Sequence, residues 1–314
     1  MSDRLDPIFV RTPIESEAQW LDLRRQNVGA SEVAALLGSH PYLTAYGLAG
    51  DKSGRIPKQD HDSAAMERGR ELEPIAIRKL GRMFPRWRLE APGAYFADEA
   101  LRFACTPDLF AIDDQGRRGT IQIKSVEPSV FRKTWRDEAG ELSAPLHVAL
   151  QAIAEAHLTG ADWCAAAAIV VGYGIDVHVV DVPIVPGVIA RMRQEVREFW
   201  DEIANDVTPD PDYGRDSALI AAMLRQDDGT EIDLTGDNEL PGLVDKRETA
   251  RQLQSAAEQS LKECNAAILH KLGPAQRARF AGGLITAKTI HRAAYQAKAS
   301  SYRQVRVHHD GEHA

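Results

Sequence analysis

Arg102-Phe103-Ala104-Cys105-Thr106-Pro107-Asp108-Leu109-Phe110-Ala111-Ile112 is followed, across the turn signal Asp113-Asp114-Gln115-Gly116, by Thr120-Ile121-Gln122-Ile123-Lys124. Short apolar runs on either side of such a turn predict adjacent strands. Residues two apart on a strand share a face, so Gln122 and Lys124 project together. The hairpin lays them beside Asp108. Outward from this pair, Trp20 to Arg25 reads as the end of a short helix, broken at Asn27-Val28-Gly29-Ala30. Ser31 is placed to N-cap Glu32 to Leu37, with Gly38 as the stop. Ser63 to Phe84 is helical in composition, and Pro74 predicts a kink or two abutting helices. Ala94-Tyr95-Phe96 is strand-like. Pro145 to Thr159 predicts a helix, Ala165–Val171 and Ile175–Val182 a hairpin around Gly172-Tyr173-Gly174, and Pro186 to Ile203 another helix.

The chain has 314 residues, 44% hydrophobic and 27% charged, with a net charge of -8. That balance excludes a wholly disordered, collagen-like or disulfide-scaffold protein. Cys105, Cys164 and Cys264 are scattered and form no CxxC, so they make neither a disulfide framework nor a zinc site. Met1 to Asp6 has no apolar signal core, and the longest apolar run, Cys164 to Val171, is far shorter than the ~20 residues of a membrane span. A cytoplasmic protein without membrane contact is expected. The negative charge argues at first against nucleic acid, but it is unevenly spread. Asp201 to Asp245 holds thirteen acids against Arg215 and Arg225, whereas Cys264 to His309 holds none. That acid-free run carries Lys271, Arg277, Arg279, Lys288, Arg292, Lys298, Arg303 and Arg306. A second basic cluster comprises Arg68, Arg70, Arg78, Lys79, Arg82, Arg86 and Arg88. Each is a solvated face or a phosphate-contacting surface.

The expected fold class is α/β: a central mixed β-sheet flanked by helices over residues 1–207. Residues 208–314 form an acidic linker, a long helix from Leu243 to Leu272 and basic C-terminal strands, Gly283–Ile290 paired with Tyr302–Val307.

A carboxylate before one strand and an oxygen-x-Lys on the next suit phosphodiester hydrolysis. Asp108 offers a hard divalent cation its carboxylate, position 122 offers a second oxygen, and the lysine holds the attacking water and neutralises phosphate charge. Glu73, upstream on a helix, can complete such a site, and Gln151 can face the same cleft. Arg24, Arg25 and Ser31 flank the start of a helix, where an anion is favoured. The bland alternatives are a surface glutamate, an amphipathic-helix glutamine, and an N-cap beside solvated arginines.

Together, Arg24-Arg25-Gln26-Asn27-Val28-Gly29-Ala30-Ser31-Glu32-Val33, Gly69…Leu72-Glu73-Pro74, Arg102 to Asp108, Gln122-Ile123-Lys124 and Leu146-His147…Gln151 resemble the YqaJ-like phage recombinases, relatives of lambda exonuclease in the PD-(D/E)xK superfamily. The resemblance spans about residues 15 to 205. It implies a restriction-endonuclease-like core and a Mg²⁺-dependent (Mn²⁺ possible) 5′–3′ exonuclease on double-stranded DNA ends. Such an enzyme makes 3′ single-stranded tails for a single-strand annealing protein in recombination, as a homo-oligomer. Asp108, Gln122, the Ile123 carbonyl and Glu73 would hold the metal, Lys124 would position the water, and Gln151 would support the lysine or a phosphate. Arg24 or Arg25, with Ser31, would take the 5′-phosphate, and a gapless alignment favours Arg24.

One position departs: the family pattern has glutamate where this chain has Gln122. Either Glu73 or another acid compensates, with Glu127 as a candidate, or the protein binds DNA ends without cutting. An endonuclease of the same superfamily, branch-cutting or restriction-like, is the third possibility.

Overall fold

The structure is a computed structural model describing residues 9–56, 63–291 and 302–306. It divides into two compact units, 1–223 and 224–314.

In the first unit, β1 (Phe9–Pro13), α1 (Glu17–Gln26), β2 (Val28–Gly29), α2 (Val33–Leu36) and α3 (Ala45–Lys52) precede the long α4 (Ala64–Met83). Next come β3 (Arg88–Glu90), β4 (Ala94–Asp98), β5 (Phe103–Cys105), β6 (Leu109–Ile112) and β7 (Arg118–Val126). After α5 (Pro128–Thr134) and α6 (Leu146–Thr159) follow β8 (Trp163–Val171), β9 (Ile175–Val182), α7 (Pro186–Ala204) and α8 (Tyr213–Met223).

Five strands form the central sheet in the order β3-β6-β7-β8-β9. Pairing is antiparallel except between β7 and β8, which run parallel. A parallel neighbour needs a crossover, and α5 with α6 provides it. The sheet is therefore mixed and flanked by helices, as the sequence led us to expect. A smaller sheet, β1-β4-β5-β2, stands beside it.

Alternation along the strands sorts the two faces. Ile121 and Ile123 of β7, with Ala165, Ala167 and Ile169 of β8, pack under Ala76 and Leu80 of α4. On the other face, Ala166 and Ala168 meet the core built around α6. Gln122 and Lys124 lie in register with those two alanines. Small neighbours leave room on that face for polar side chains of the strand and helix.

Several local expectations needed correction. Ser31 caps no helix: α2 is a single turn whose N-cap is Glu32, so the argument from a helix dipole at this point falls away. Gly38 does stop it, at φ +65°. α4 runs as one helix through Pro74, with Ser63 accepting from the Met66 N–H as its cap. The proline forfeits one backbone bond, and burial of Ala76 and Leu80 carries the helix past it. α8 belongs with the first unit, beyond the expected division at 207. Its buried Asp216 accepts from the Thr44 hydroxyl at 2.6 Å.

The second unit contains α9 (Leu240–Leu272) and the hairpin of β10 (Arg277–Phe280) with β11 (Gly283–Thr286). The expected partner of the Gly283 strand was wrong: Tyr302 to Arg306 forms no strand, and the two-residue turn makes Arg277–Phe280 the local partner. Val307, Arg292 and Lys298 lie outside the described residues. No helix among the described residues is long and apolar enough to cross a membrane.

Candidate active site

A cleft of about 370 Å³ opens at the end of the central sheet. Asp108, Gln122, Ile123, Lys124, Glu73, Gln151, Arg24 and Ser31 all line it, together with Glu155, Trp20, Tyr95 and Thr106. Arg25 does not. It pairs with Asp22 at 3.2 Å and borders a neighbouring cavity with Lys52 and Arg215.

The floor is a continuous chain of hydrogen bonds. Leu109 faces Ile121 across the hairpin, which sets Asp108 against Gln122. Asp108 Oδ2 accepts from the Ile123 N–H at 2.7 Å and from the Gln122 amide nitrogen. That nitrogen also lies 3.2 Å from the Ile123 carbonyl. Gln122 Oε1 accepts from Gln151 Nε2 at 2.8 Å. Gln151 Oε1 in turn accepts from Lys124 Nζ at 2.7 Å. Thus β6, β7 and α6 each contribute one part of a single polar network.

Its carboxyls are held away from their ordinary behaviour. Burial pushes Asp108 up to about 7, against the pull of Lys124 and the Ile123 N–H, with Glu73 adding repulsion. Burial alone raises Glu73 on α4. Glu155 lies well above the usual carboxylate range, first from burial and then from the neighbouring Asp108. His147, whose ring centroid is 5.9 Å from that of His40, is lowered to about 4 by burial, His40 and Lys124.

The far corner is built on a buried ion cluster. Glu32 accepts from Arg24 at 2.8 Å, from Lys52 at 2.7 Å and from the Gly29 N–H at 2.8 Å. Burial drives its carboxyl up, but the two cations and their bonds outweigh that and hold it below the normal range. The Lys52 side chain is 0% exposed and also donates to the Arg24 carbonyl at 2.8 Å. The Arg24 guanidinium lies 4.9 Å from the Trp20 ring centroid, and Trp20 Nε1 donates to the Thr106 hydroxyl at 3.1 Å. Arg24 is therefore anchored by Glu32 and Trp20 where it lines the cleft.

Reading the sequence missed Glu155, Lys52 and Trp20. Glu155 left a usable signal: it is the sole acid of a mostly apolar helix, one helical turn beyond Gln151. Glu127, the candidate for a displaced acid, sits at the start of α5 and faces Arg68 at 3.5 Å, outside the cleft. Arg86 of the upstream basic cluster pairs with Asp114 at 2.5 Å. Among the described residues, no group of three or more His, Cys, Asp and Glu side chains is gathered as a metal centre.

Two solved structures similar to the chain are exonucleases by description. The alkaline exonuclease LHK-Exo of Laribacter hongkongensis is 21% identical, with a TM-score of 0.46 over 65% of this chain and 100% of that one. A putative exonuclease of Eubacterium rectale is 11% identical, with a TM-score of 0.44 over 72% and 98%. No curated protein matches. Residues 19–162 match the family model of the YqaJ-like viral recombinase domain, the same family that the five ordered motifs resemble. The matched segment contains every residue that lines the cleft, from Trp20 through Glu155.

Proposed function

We propose that the protein is a divalent-metal-dependent deoxyribonuclease that degrades one strand of duplex DNA from a 5′-phosphorylated end, leaving a 3′ single-stranded tail. One observation carries the reading: the Asp108–Gln122–Gln151–Lys124 network and the anchored Arg24 share one cleft.

The donor set fits a hard cation. Mg²⁺ is commonly held by one or two carboxylates with several waters retained. Asp108 and the Ile123 carbonyl are oxygen donors at one place, with the Gln122 amide beside them and the Glu73 carboxyl lining the same cleft. A bound cation supplies positive charge against the scissile phosphate, as such ions do in phosphoryl hydrolysis. The chain's own residues do the rest. Gln151 fixes the Lys124 ammonium, which orients the attacking water and offsets charge building on the phosphate oxygens. Arg24 and the Ser31 hydroxyl receive the terminal 5′-phosphate. Water adds to phosphorus as the bond to the leaving 3′ oxygen breaks, and that oxygen takes a proton. The new end again bears a 5′-phosphate, which the same corner can take up. We further propose an annealing protein as the user of the tail, and a homo-oligomer as the working form.

A second reading, a DNA-end-binding protein without cleavage, is favoured by one feature. Gln122 turns its nitrogen toward Asp108, and the strand position carries no charge. The test uses linear duplex with 5′-phosphate or 5′-hydroxyl ends and a closed circle, each with Mg²⁺ or Mn²⁺. Loss of the phosphorylated linear DNA alone is the expected result. Cutting of the circle identifies an endonuclease, and binding without cleavage supports the second reading.

A further inference from the structure

Gln122 offers an oxygen but no charge, yet the cleft contains a second buried carboxylate. Glu155 is 1% exposed. Its Oε1 accepts from Gln151 Nε2 at 2.8 Å, while its Oε2 has no hydrogen-bond partner among the described residues. Buried carboxylates are normally paired, hydrogen-bonded or bound to metal. Lys124, the cation whose charge acts on it, donates to Gln151 instead.

We infer that Glu155 is the acid of the candidate metal site: with Asp108 it supplies the second negative charge that holds a divalent cation, in place of a glutamate on the strand. The inference rests on the proposed nuclease reading for the presence of a cation. Three observations carry it. Glu155 and Asp108 line the same cleft. Gln151 Nε2 lies 2.8 Å from both Glu155 Oε1 and Gln122 Oε1, so the helix acid and the strand amide are close neighbours. Finally, Glu155 Oε2 is buried with no hydrogen-bond partner among the described residues, which leaves a carboxylate oxygen for a cation. An amide on the strand and an acid on the helix therefore work as one pair, carrying the charge that a strand glutamate would carry alone.

The test measures Mn²⁺ binding by the full chain without DNA, from the electron paramagnetic resonance signal of the free ion. Glu155→Gln should weaken Mn²⁺ binding about tenfold or more, and adding Gln122→Glu to it should bring affinity back to within about threefold of wild type. Unchanged binding in Glu155→Gln overturns the inference, as does a double variant that fails to recover. Circular dichroism checks folding. If the amide variant does not fold, Glu155→Asp replaces it, and wild-type affinity there is equally fatal. The two readings fail separately. A protein that binds Mn²⁺ through Glu155 but cuts no DNA sinks the nuclease reading alone. One that cuts DNA while Glu155→Gln binds Mn²⁺ normally sinks only this inference.

Discussion

Asp108→Asn should abolish cleavage and at the same time stabilise the metal-free protein at alkaline pH. The folded carboxyl titrates near 7 against 3.8 for the free side chain, because burial opposes its charge. The sign follows from proton counting. Below about pH 4 the group is protonated whether folded or unfolded, and it contributes nothing. Between about 4 and 7 the folded state keeps a proton that the unfolded chain releases, so stability falls by about 1.4 kcal/mol per pH unit. Above 7 the full cost is in place, with a ceiling of about 4 kcal/mol. Glu155 shares this repulsion, so the asparagine relieves about 1–3 kcal/mol at pH 8. Its amide oxygen can still accept from the Ile123 N–H. Urea unfolding in a chelator, followed by the fluorescence of the five tryptophans, all within residues 20–200, gives the difference directly. The variant should be the more stable at pH 8, and the gap should narrow by about 1 kcal/mol at pH 5. A gap that is constant with pH, or a variant less stable at pH 8, would refute the reasoning. Either result would mean that Lys124 and the backbone hold Asp108 ionised at little cost.

Other expectations are simpler. Lys124→Met should lower single-turnover cleavage by about 10²-fold or more with little change in the unfolding midpoint. Arg24→Ala should reduce the preference for 5′-phosphorylated over 5′-hydroxyl ends by about tenfold or more, whereas Arg25→Ala, paired only at the surface, should change it less than about twofold; competition between the two ends reads both. Gly119→Ala should destabilise the fold by about 3 kcal/mol or more, because a Cβ there stands 2.1 Å from the Trp163 ring. Thermal melting checks this, and shortening Trp163 in the same chain should recover part of the loss.

Much of the fold was legible because its signals are local. The β6–β7 turn and the alternation along β7 each lie within a few residues of what they control. What escaped depends on distant partners. β1 finds its place only against β4, and β2, two residues long, only against β5. No periodicity in five or two residues of sequence announces such pairings. The site divides the same way. Asp108, Gln122 and Lys124 sit on one hairpin and are visible as a spacing. Glu155 becomes notable only when α6 is folded over β7, because its meaning lies in the one carboxylate oxygen left without a partner among the described residues. Lys52 is similar: a lysine in a short helix looks solvated until Glu32 and the Arg24 carbonyl close around it. The one-turn α2 shows the opposite failure, since serine before an apolar run imitates a cap when the chain is making a bend.

The parallel pairing of β7 with β8 bears on how the active form comes into being. The β6–β7 hairpin joins neighbours in sequence and can close early, presenting Asp108, Gln122 and Lys124 with few long-range contacts. β8 reaches β7 only after the intervening thirty-six residues have crossed over the sheet, and such non-local closures are slow. Gln151 and Glu155 ride on that crossover. Until it docks, Lys124 has no Gln151 to hold it and the floor of the cleft is unmade. Under the proposed function, a nascent or damaged chain therefore carries half of the site without the ability to cut DNA. Completion of the topology serves as the safeguard on the chemistry.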